Sequence, residues 1–110
     1  MAVLDAEIKQ QALAAARVLS RMAPVRAAYI FGSRAEGRAH PWSDIDVALV
    51  MEGVESWDMQ RRAQAMFRVQ KEVGLEVEAH LFPADALVRP EQGSFAAYII
   101  KNGFAITLTD

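Results

Sequence analysis

The chain has 110 residues, of which 53% are hydrophobic and 24% charged, and its formal net charge is −2 at pH 7. This length and composition are typical of one globular domain, so we expect a single domain over residues 1–110. The lack of cysteine excludes disulfides, thiolate metal sites and a cysteine nucleophile.

The charge balance and hydropathy also limit the partners and the location of the protein. A slightly acidic chain gives no electrostatic support to general binding of a nucleic-acid backbone. Charged residues, Asp5, Glu7 and Lys9, interrupt the N-terminal segment, so it does not read as a signal peptide. No apolar run approaches the roughly 18 residues that a membrane span needs. We therefore expect a cytoplasmic protein with no membrane contact.

The first half of the chain predicts one helix and two strands. Apolar residues recur at steps of three and four over residues 4–22, which indicates a helix: Ile8, Ala12, Ala15, Leu19 and Met22. After Pro24, the apolar segment 25–31 suits a buried strand. Residues 43–51 predict a second strand, whose alternation places Asp44, Asp46, Ala48 and Val50 on one face.

The second half predicts two helices and two strands. Ser56 is a candidate cap for a helix over residues 57–73, with an inner face formed by Met59, Ala63, Met66 and Val73. Residues 75–82 alternate as a third strand. Ser94 is the candidate cap of a short helix that ends at Gly103, and residues 104–108 suit a final edge strand. Since helices alternate with strands, we expect an α/β or α+β domain with one sheet and helices mainly on one of its faces.

The clearest candidates for a chemical function lie between the first two strands and at the start of the second. Gly32 lacks a Cβ, so its backbone can take strained dihedrals and let a phosphate approach its N–H closely. Ser33 adds a hydroxyl and a further N–H. Arg34, in the basic loop that follows, is a candidate for triphosphate binding or a solvated loop side chain. Asp44 and Asp46 are two residues apart, so both carboxylates are expected on the same face of the second strand.

Two carboxylates this close repel each other unless one is protonated or a cation lies between them. Hard oxygen ligands suit Mg²⁺, which proteins commonly bind through one or two carboxylates together with substrate phosphates. The joint pattern therefore predicts a phosphate-binding turn that faces a divalent-metal site. Such a site is equipped for phosphoryl or nucleotidyl transfer.

The stretch IFGSRAEGRAHPWSDIDVALV resembles the signature of the DNA polymerase β-like nucleotidyltransferase superfamily, in which Gly-Ser, a spacer and Asp-apolar-Asp follow one another. The short chain is similar to the minimal nucleotidyltransferases of this superfamily, over residues 4–108. The resemblance implies the nucleotidyltransferase fold, a small mixed β-sheet with helices mainly on one face. It also implies that Gly32 and Ser33 hold the phosphates of ATP or another nucleoside triphosphate, while Asp44 and Asp46 bind two Mg²⁺ ions.

The superfamily also uses a third carboxylate, usually an aspartate, on a neighbouring strand. In LEVEAHLF (residues 75–82) Glu78 is the best match and Glu76 the alternate. By resemblance this acid binds metal and deprotonates the attacking hydroxyl, although glutamate is one methylene longer than aspartate. Both glutamates also suit the solvated face of an exposed strand. His80 lies on the same face, but two histidines without cysteine do not favour a zinc site.

The resemblance further implies a partner, because minimal nucleotidyltransferases are paired with small all-helical HEPN proteins in toxin–antitoxin modules. The expected activity is transfer of AMP from ATP to a tyrosine of that toxin. One alternative is an antitoxin without catalysis, which binds nucleotide or the partner and inhibits by occlusion. Another is a transferase for a small-molecule or nucleic-acid acceptor. The chain is not expected to hold its own acceptor-recognition domain, and Phe95, Tyr98 and Ile99 are candidates for partner contact.

Overall fold

Four strands in the described part of the chain form one mixed sheet, with two long helices against one face. The structure is a computed structural model and describes residues 6–32, 44–88 and 91–108. The elements in chain order are α1 (Ala6–Ser20), β1 (Val25–Phe31), β2 (Ile45–Met51), a 3₁₀ turn (Val54–Ser56), α2 (Met59–Glu72), β3 (Val77–Pro83), α3 (Asp85–Val88), α4 (Phe95–Asn102) and β4 (Phe104–Ile106).

The order of the strands determines which strand ends meet. The sheet runs β3-β2-β1-β4, in which β1 is antiparallel to both β2 and β4 and β2 is parallel to β3. The parallel connection passes through α2, as parallel pairing requires a crossover rather than a tight turn. The beginnings of β2 and β3 and the end of β1 therefore lie together at one end of the sheet. We call this the site end.

One face of the sheet carries the main core. The odd-numbered residues of β2 pack with buried side chains of α1 and α2: Ile45, Val47, Leu49 and Met51 from the strand, Ala12, Ala15, Ala16, Val18 and Leu19 from α1, and Ala65 and Val69 from α2. This confirms the predicted inner face of the first helix and the alternation of the second strand. It also confirms an α/β domain with helices mainly on one face.

The opposite face is covered by the short helix α4. Ile99 of α4 packs with Phe31 and Ala48, while Tyr29 and Phe82 border this second cluster. Ser94 caps the helix by accepting a hydrogen bond from the backbone N–H of Ala97, as predicted from the sequence. No helix in the described residues combines the length and apolar character needed to cross a bilayer.

The predicted inner face of α2 is wrong for Met59, Ala63 and Met66, which are exposed, whereas Val73 packs against the core as predicted. The N-cap of the helix is Asp58 rather than Ser56, and its buried residues are Ala65 and Val69. The reason is Arg62, which occupies the inward stripe and donates hydrogen bonds to the carbonyls of Val54 and Trp57. A pattern based on apolar residues alone treats such a satisfied arginine as outward-facing.

Several strand boundaries also differ from the sequence-based expectation. The structure begins β3 at Val77 instead of Leu75, since Val77 donates to the carbonyl of Gly74 in a turn that follows α2. The structure begins β2 at Ile45, so Asp44 precedes the strand instead of standing on it. The last strand is shorter than predicted and ends at Ile106.

Two leucines with different burial are expected to differ greatly in their contribution to folding stability. Leu49 is fully buried in the middle of β2, whereas Leu75 is exposed before β3. Leu49→Ala is expected to lower the free energy of unfolding by about 2–5 kcal/mol, because it leaves a cavity between the sheet and α1. Leu75→Ala is the matched control and is expected to stay within about 0.5 kcal/mol of the parent. Urea denaturation followed by circular dichroism checks both; equal losses would contradict the described core.

Candidate active site

Three strands bring acidic and glycine residues together at the site end of the sheet. Asp46 of β2 is paired with Glu78 of the parallel strand β3 and with Phe31 of the antiparallel strand β1. Gly32 follows Phe31 directly, so it lies beside Asp46. Residues that are far apart in sequence thus become neighbours across the sheet because of its strand order.

Asp46, Glu78 and His80 form a compact group of potential metal ligands. One ligand atom from each residue lies within 4.8 Å of the other two. The Nε2 atom of His80 is 3.2 Å from Oδ1 of Asp46 and 3.9 Å from Oε1 of Glu78. The side chains of Asp46, His80 and Glu78 are 24%, 28% and 44% exposed, respectively. The group is therefore partly shielded, yet accessible to a ligand from solvent.

Gly32 is in close contact with the carboxylate of Asp46. Its φ of +79° lies in the left-handed region, which L residues with side chains adopt reluctantly. A Cβ at this position would lie 2.5 Å from Oδ2 of Asp46. Both the backbone conformation and the position of the carboxylate therefore favour glycine here.

Of the three other predicted site residues, the structure describes only Asp44. Ser33 and Arg34 lie outside the described residues. Asp44 is described and exposed, and it stands before β2 rather than beside Asp46 on the strand. Asp44 is not a member of the compact ligand group, so its predicted role as a metal ligand stays a prediction.

The two glutamates considered for the third carboxylate have different surroundings. Glu78 is paired with Asp46 across the parallel strands. The Oε1 atom of Glu76 instead accepts a hydrogen bond of 2.8 Å from Nε2 of Gln11 on α1. The sheet thus brings Glu78, and not Glu76, next to Asp46. This proximity favours Glu78 for the predicted role.

An aromatic wall, formed by Phe31, Phe82 and Phe95, borders the ligand group. The ring of His80 meets Phe31 edge-on at a centroid distance of 4.9 Å, and Phe95 of α4 lies 5.4 Å from Phe31 and 6.0 Å from Phe82. The sequence placed His80 on the face that carries Glu78, but assigned it no part in the site. Its position two residues after Glu78 on a strand was the available signal, since such residues share a face.

The residues predicted to contact a partner separate into two kinds. Phe95 and Tyr98 are exposed on α4. Ile99 is 1% exposed and packs under the helix against Phe31 and Ala48. The prediction that Ile99 contacts a partner is therefore wrong, because its side chain is buried between α4 and the sheet.

The arrangement suits a divalent cation and an anionic ligand. Carboxylates as close as those of Asp46 and Glu78 repel each other, and a cation between them removes that repulsion. Their oxygens are hard ligands of the kind that Mg²⁺ and similar ions prefer. The glycine that follows β1 allows a phosphate to approach the backbone closely. These residues therefore fit the metal and the nucleotide that the motif predicts.

Comparison with known proteins identifies the family of this chain and solved structures with a similar fold. Residues 14–110 match the family model described as Polymerase beta, Nucleotidyltransferase. No curated protein matches the chain significantly. A Sulfolobus solfataricus protein described as a nucleotidyltransferase is 25% identical, with a TM-score of 0.56 and coverage of 76% of this chain and 74% of that chain. A toxin–antitoxin crystal structure with AMP-PNP is 19% identical, with a TM-score of 0.57 and coverage of 96% and 76%. Since the family model matches most of the sequence, the chain belongs to the polymerase β nucleotidyltransferase family.

Proposed function

We propose that this chain is an antitoxin that transfers AMP from ATP to a tyrosine hydroxyl of a partner HEPN toxin. The observation that carries the proposal is the contact of the Asp46 carboxylate with Gly32 on one side and its pairing with Glu78 on the other. This places a candidate phosphate-binding turn next to a candidate metal site. The shared fold with a toxin–antitoxin structure that contains AMP-PNP supports a protein partner and a nucleotide.

The proposed roles follow from the position of each side chain. Gly32 would bring its backbone N–H to the triphosphate, with Ser33 and Arg34 as further phosphate ligands. Asp46 and Glu78 would hold divalent cations, with Asp44 as a third acidic ligand; the family resemblance implies two ions and suggests Mg²⁺. When bound, such ions neutralise the charge that develops on the α-phosphate and on the departing pyrophosphate.

The transfer itself is an exchange of one P–O bond for another. The tyrosine oxygen forms a bond to the α-phosphorus, and the bond from that phosphorus to the β-phosphate oxygen breaks, which releases pyrophosphate. The proton of the tyrosine hydroxyl goes to the carboxylate of Glu78, which acts as general base. The partial exposure of Glu78 leaves this carboxylate accessible to an incoming side chain.

The proposal can be tested with α-labelled ATP, a divalent cation and the protein encoded by the adjacent open reading frame, which is expected to be an all-helical HEPN protein. Label on that protein, located on a tyrosine by mass spectrometry and lost in Asp46→Asn, is the expected result. Inhibition of the partner without label would instead support the antitoxin that acts by occlusion. Label on an RNA or a small molecule in the absence of a partner would support a transferase for another acceptor. Either of the last two results would overturn transfer to a protein.

The two neighbouring glutamates offer a matched test of the general base. Glu78→Gln is expected to lower the transfer rate about 100-fold, because the amide cannot accept the tyrosine proton. Glu76→Gln removes the same charge at a residue that bonds Gln11 of α1, so the rate is expected to stay near that of the parent. Single-turnover kinetics with bound nucleotide measure both rates. A greater loss in Glu76→Gln would reverse the assignment of the third carboxylate.

A further inference from the structure

The ligand group at the site end contains a nitrogen atom as well as carboxylate oxygens. We propose that His80 is a direct ligand of the bound cation, and that the site consequently binds Mn²⁺ in preference to Mg²⁺. This inference rests on the proposed function, because it names the cation of that same site. It assigns to His80 a role that the Gly-Ser and Asp-apolar-Asp motif does not include.

The distances between the three side chains suit a shared ion. An ion about 2.1 Å from each ligand keeps adjacent ligand atoms about 3.0–3.4 Å apart in octahedral or tetrahedral geometry. Nε2 of His80 lies 3.2 Å from Oδ1 of Asp46, which is within that range, and 3.9 Å from Oε1 of Glu78. Glu78 is the most exposed of the three and has room to close the remaining distance.

The surroundings of His80 hold its ring so that Nε2 faces the carboxylates. The ring packs edge-on against Phe31 at 4.9 Å and lies 6.4 Å from Phe95. Without a metal, an Nε2–H group donates to Asp46. In the metal-bound state the neutral ring would carry its proton on Nδ1, so that the Nε2 lone pair and the carboxylate oxygen could both bind the cation. The hydrogen bond thus marks the position in which an ion is expected.

The choice of ion follows from the chemistry of the donor set. Mg²⁺ is usually held by carboxylates, phosphates and water, and it exchanges its hydration shell reluctantly. Imidazole is a better ligand for first-row transition ions, whose affinity for nitrogen and oxygen sites rises from Mn²⁺ onward. Mn²⁺ retains a preference for carboxylate oxygens. One imidazole together with two carboxylates therefore fits Mn²⁺ better than Mg²⁺.

Isothermal titration calorimetry and electron spin echo spectroscopy test the assignment on the full chain, with Mn²⁺ and Mg²⁺ added as chlorides and without nucleotide or partner. The parent is expected to bind Mn²⁺ more tightly than Mg²⁺, with ¹⁴N modulation from a coordinated imidazole in the Mn²⁺ spectrum. Absence of that modulation, or equal affinity for the two ions, would overturn the proposal. The spectrum of the parent decides this point even if every variant fails to fold.

Two variants of His80 separate ligation from packing and hydrogen bonding. His80→Gln keeps a donor to Asp46 but lacks the imidazole, and His80→Phe keeps the ring that packs on Phe31. Both are expected to bind Mn²⁺ at least about tenfold more weakly, since even the outer partners of metal ligands are worth about 10–100-fold in affinity. Mg²⁺ affinity is expected to change much less in His80→Gln. An unchanged ratio of the two affinities in His80→Gln would contradict the proposal.

The control and the readout keep this inference separate from the proposed activity. Glu55→Gln removes a carboxylate from the 3₁₀ turn beyond the opposite end of β2 and is expected to bind both ions as the parent does. Metal binding is measured without ATP or acceptor. If the chain transfers AMP but does not prefer Mn²⁺, the proposed role of His80 as a metal ligand is wrong and the proposed function stands. If the chain prefers Mn²⁺ but does not transfer AMP, the proposed function is wrong and the role of His80 stands.

Discussion

Asp46→Asn is expected to lower the rate of nucleotide transfer by about 1,000-fold or more, which corresponds to about 4 kcal/mol of transition-state stabilisation. The amide has nearly the size of the carboxylate but no charge to hold a cation. Asp46 is also the residue that the other members of the site share, since it contacts Gly32, pairs with Glu78 and bonds His80. Steady-state measurements of labelled AMP transfer provide kcat/KM.

The matched control for this variant is Asp85→Asn, which makes the same chemical change in the first turn of α3. It is expected to keep the parent rate, because Asp85 lies outside the ligand group. Circular dichroism spectra and melting temperatures of both variants verify that the chain remains folded. Retention of most of the transfer rate in a folded Asp46→Asn variant would contradict the proposed site. Asp44→Asn, assayed in parallel, tests the role that the motif predicts for the first aspartate.

The second large effect concerns Gly32, for which Gly53 provides a matched comparison. Both glycines have a positive φ, +79° for Gly32 and +75° for Gly53. Alanine at either position is expected to cost about 1–2 kcal/mol of folding stability, because an L residue is disfavoured in the left-handed region. A Cβ at Gly53 meets no atom within 4 Å, whereas one at Gly32 would displace the Asp46 carboxylate.

Gly32→Ala is therefore expected to lose transfer activity much more than stability. A displacement of about 1 Å in a catalytic group can lower a rate about 100-fold, so we expect a loss of about that size or greater. Gly53→Ala is expected to show a similar stability loss with near-parental activity. Urea denaturation and transfer kinetics on the two variants provide the comparison. Equal activity losses would show that the effect of Gly32 comes from backbone strain and not from its contact with Asp46.

The strands were more predictable than the second helix. β1 is bounded by Pro24 and Gly32, which interrupt regular strand structure at both ends, so its predicted and observed limits coincide. In α2, by contrast, Arg62 lies on the inward stripe and satisfies its donors on the carbonyls of Val54 and Trp57. Hydrophobic periodicity assigns charged residues to the outer face of a helix. A tertiary hydrogen bond can nevertheless hold such a residue on the inner face.

The residues of the candidate site also differ in how far the sequence alone could identify them. Gly32 and Asp46 belong to one local motif, so their residue types and spacing were enough to propose them. The choice between Glu78 and Glu76 depended on which of them faces Asp46 across parallel strands, and that is a matter of strand order and register. From the sequence, His80 could be assigned only to the face of the third strand that carries Glu78. Its distance to Asp46 required the neighbouring strand to be placed.

The sequence by itself determined the alternation of helices and strands and a short motif that indicates nucleotidyl transfer. These features are local, because periodicity, a glycine turn and two nearby carboxylates act within a few residues of one another. The tertiary structure alone decided that Glu78 and His80 join Asp46, that Asp44 precedes its strand, and that Ile99 is buried. Such contacts depend on how distant segments pair in the sheet, and strand pairing is fixed by the packing of the whole domain rather than by the residues of any one segment.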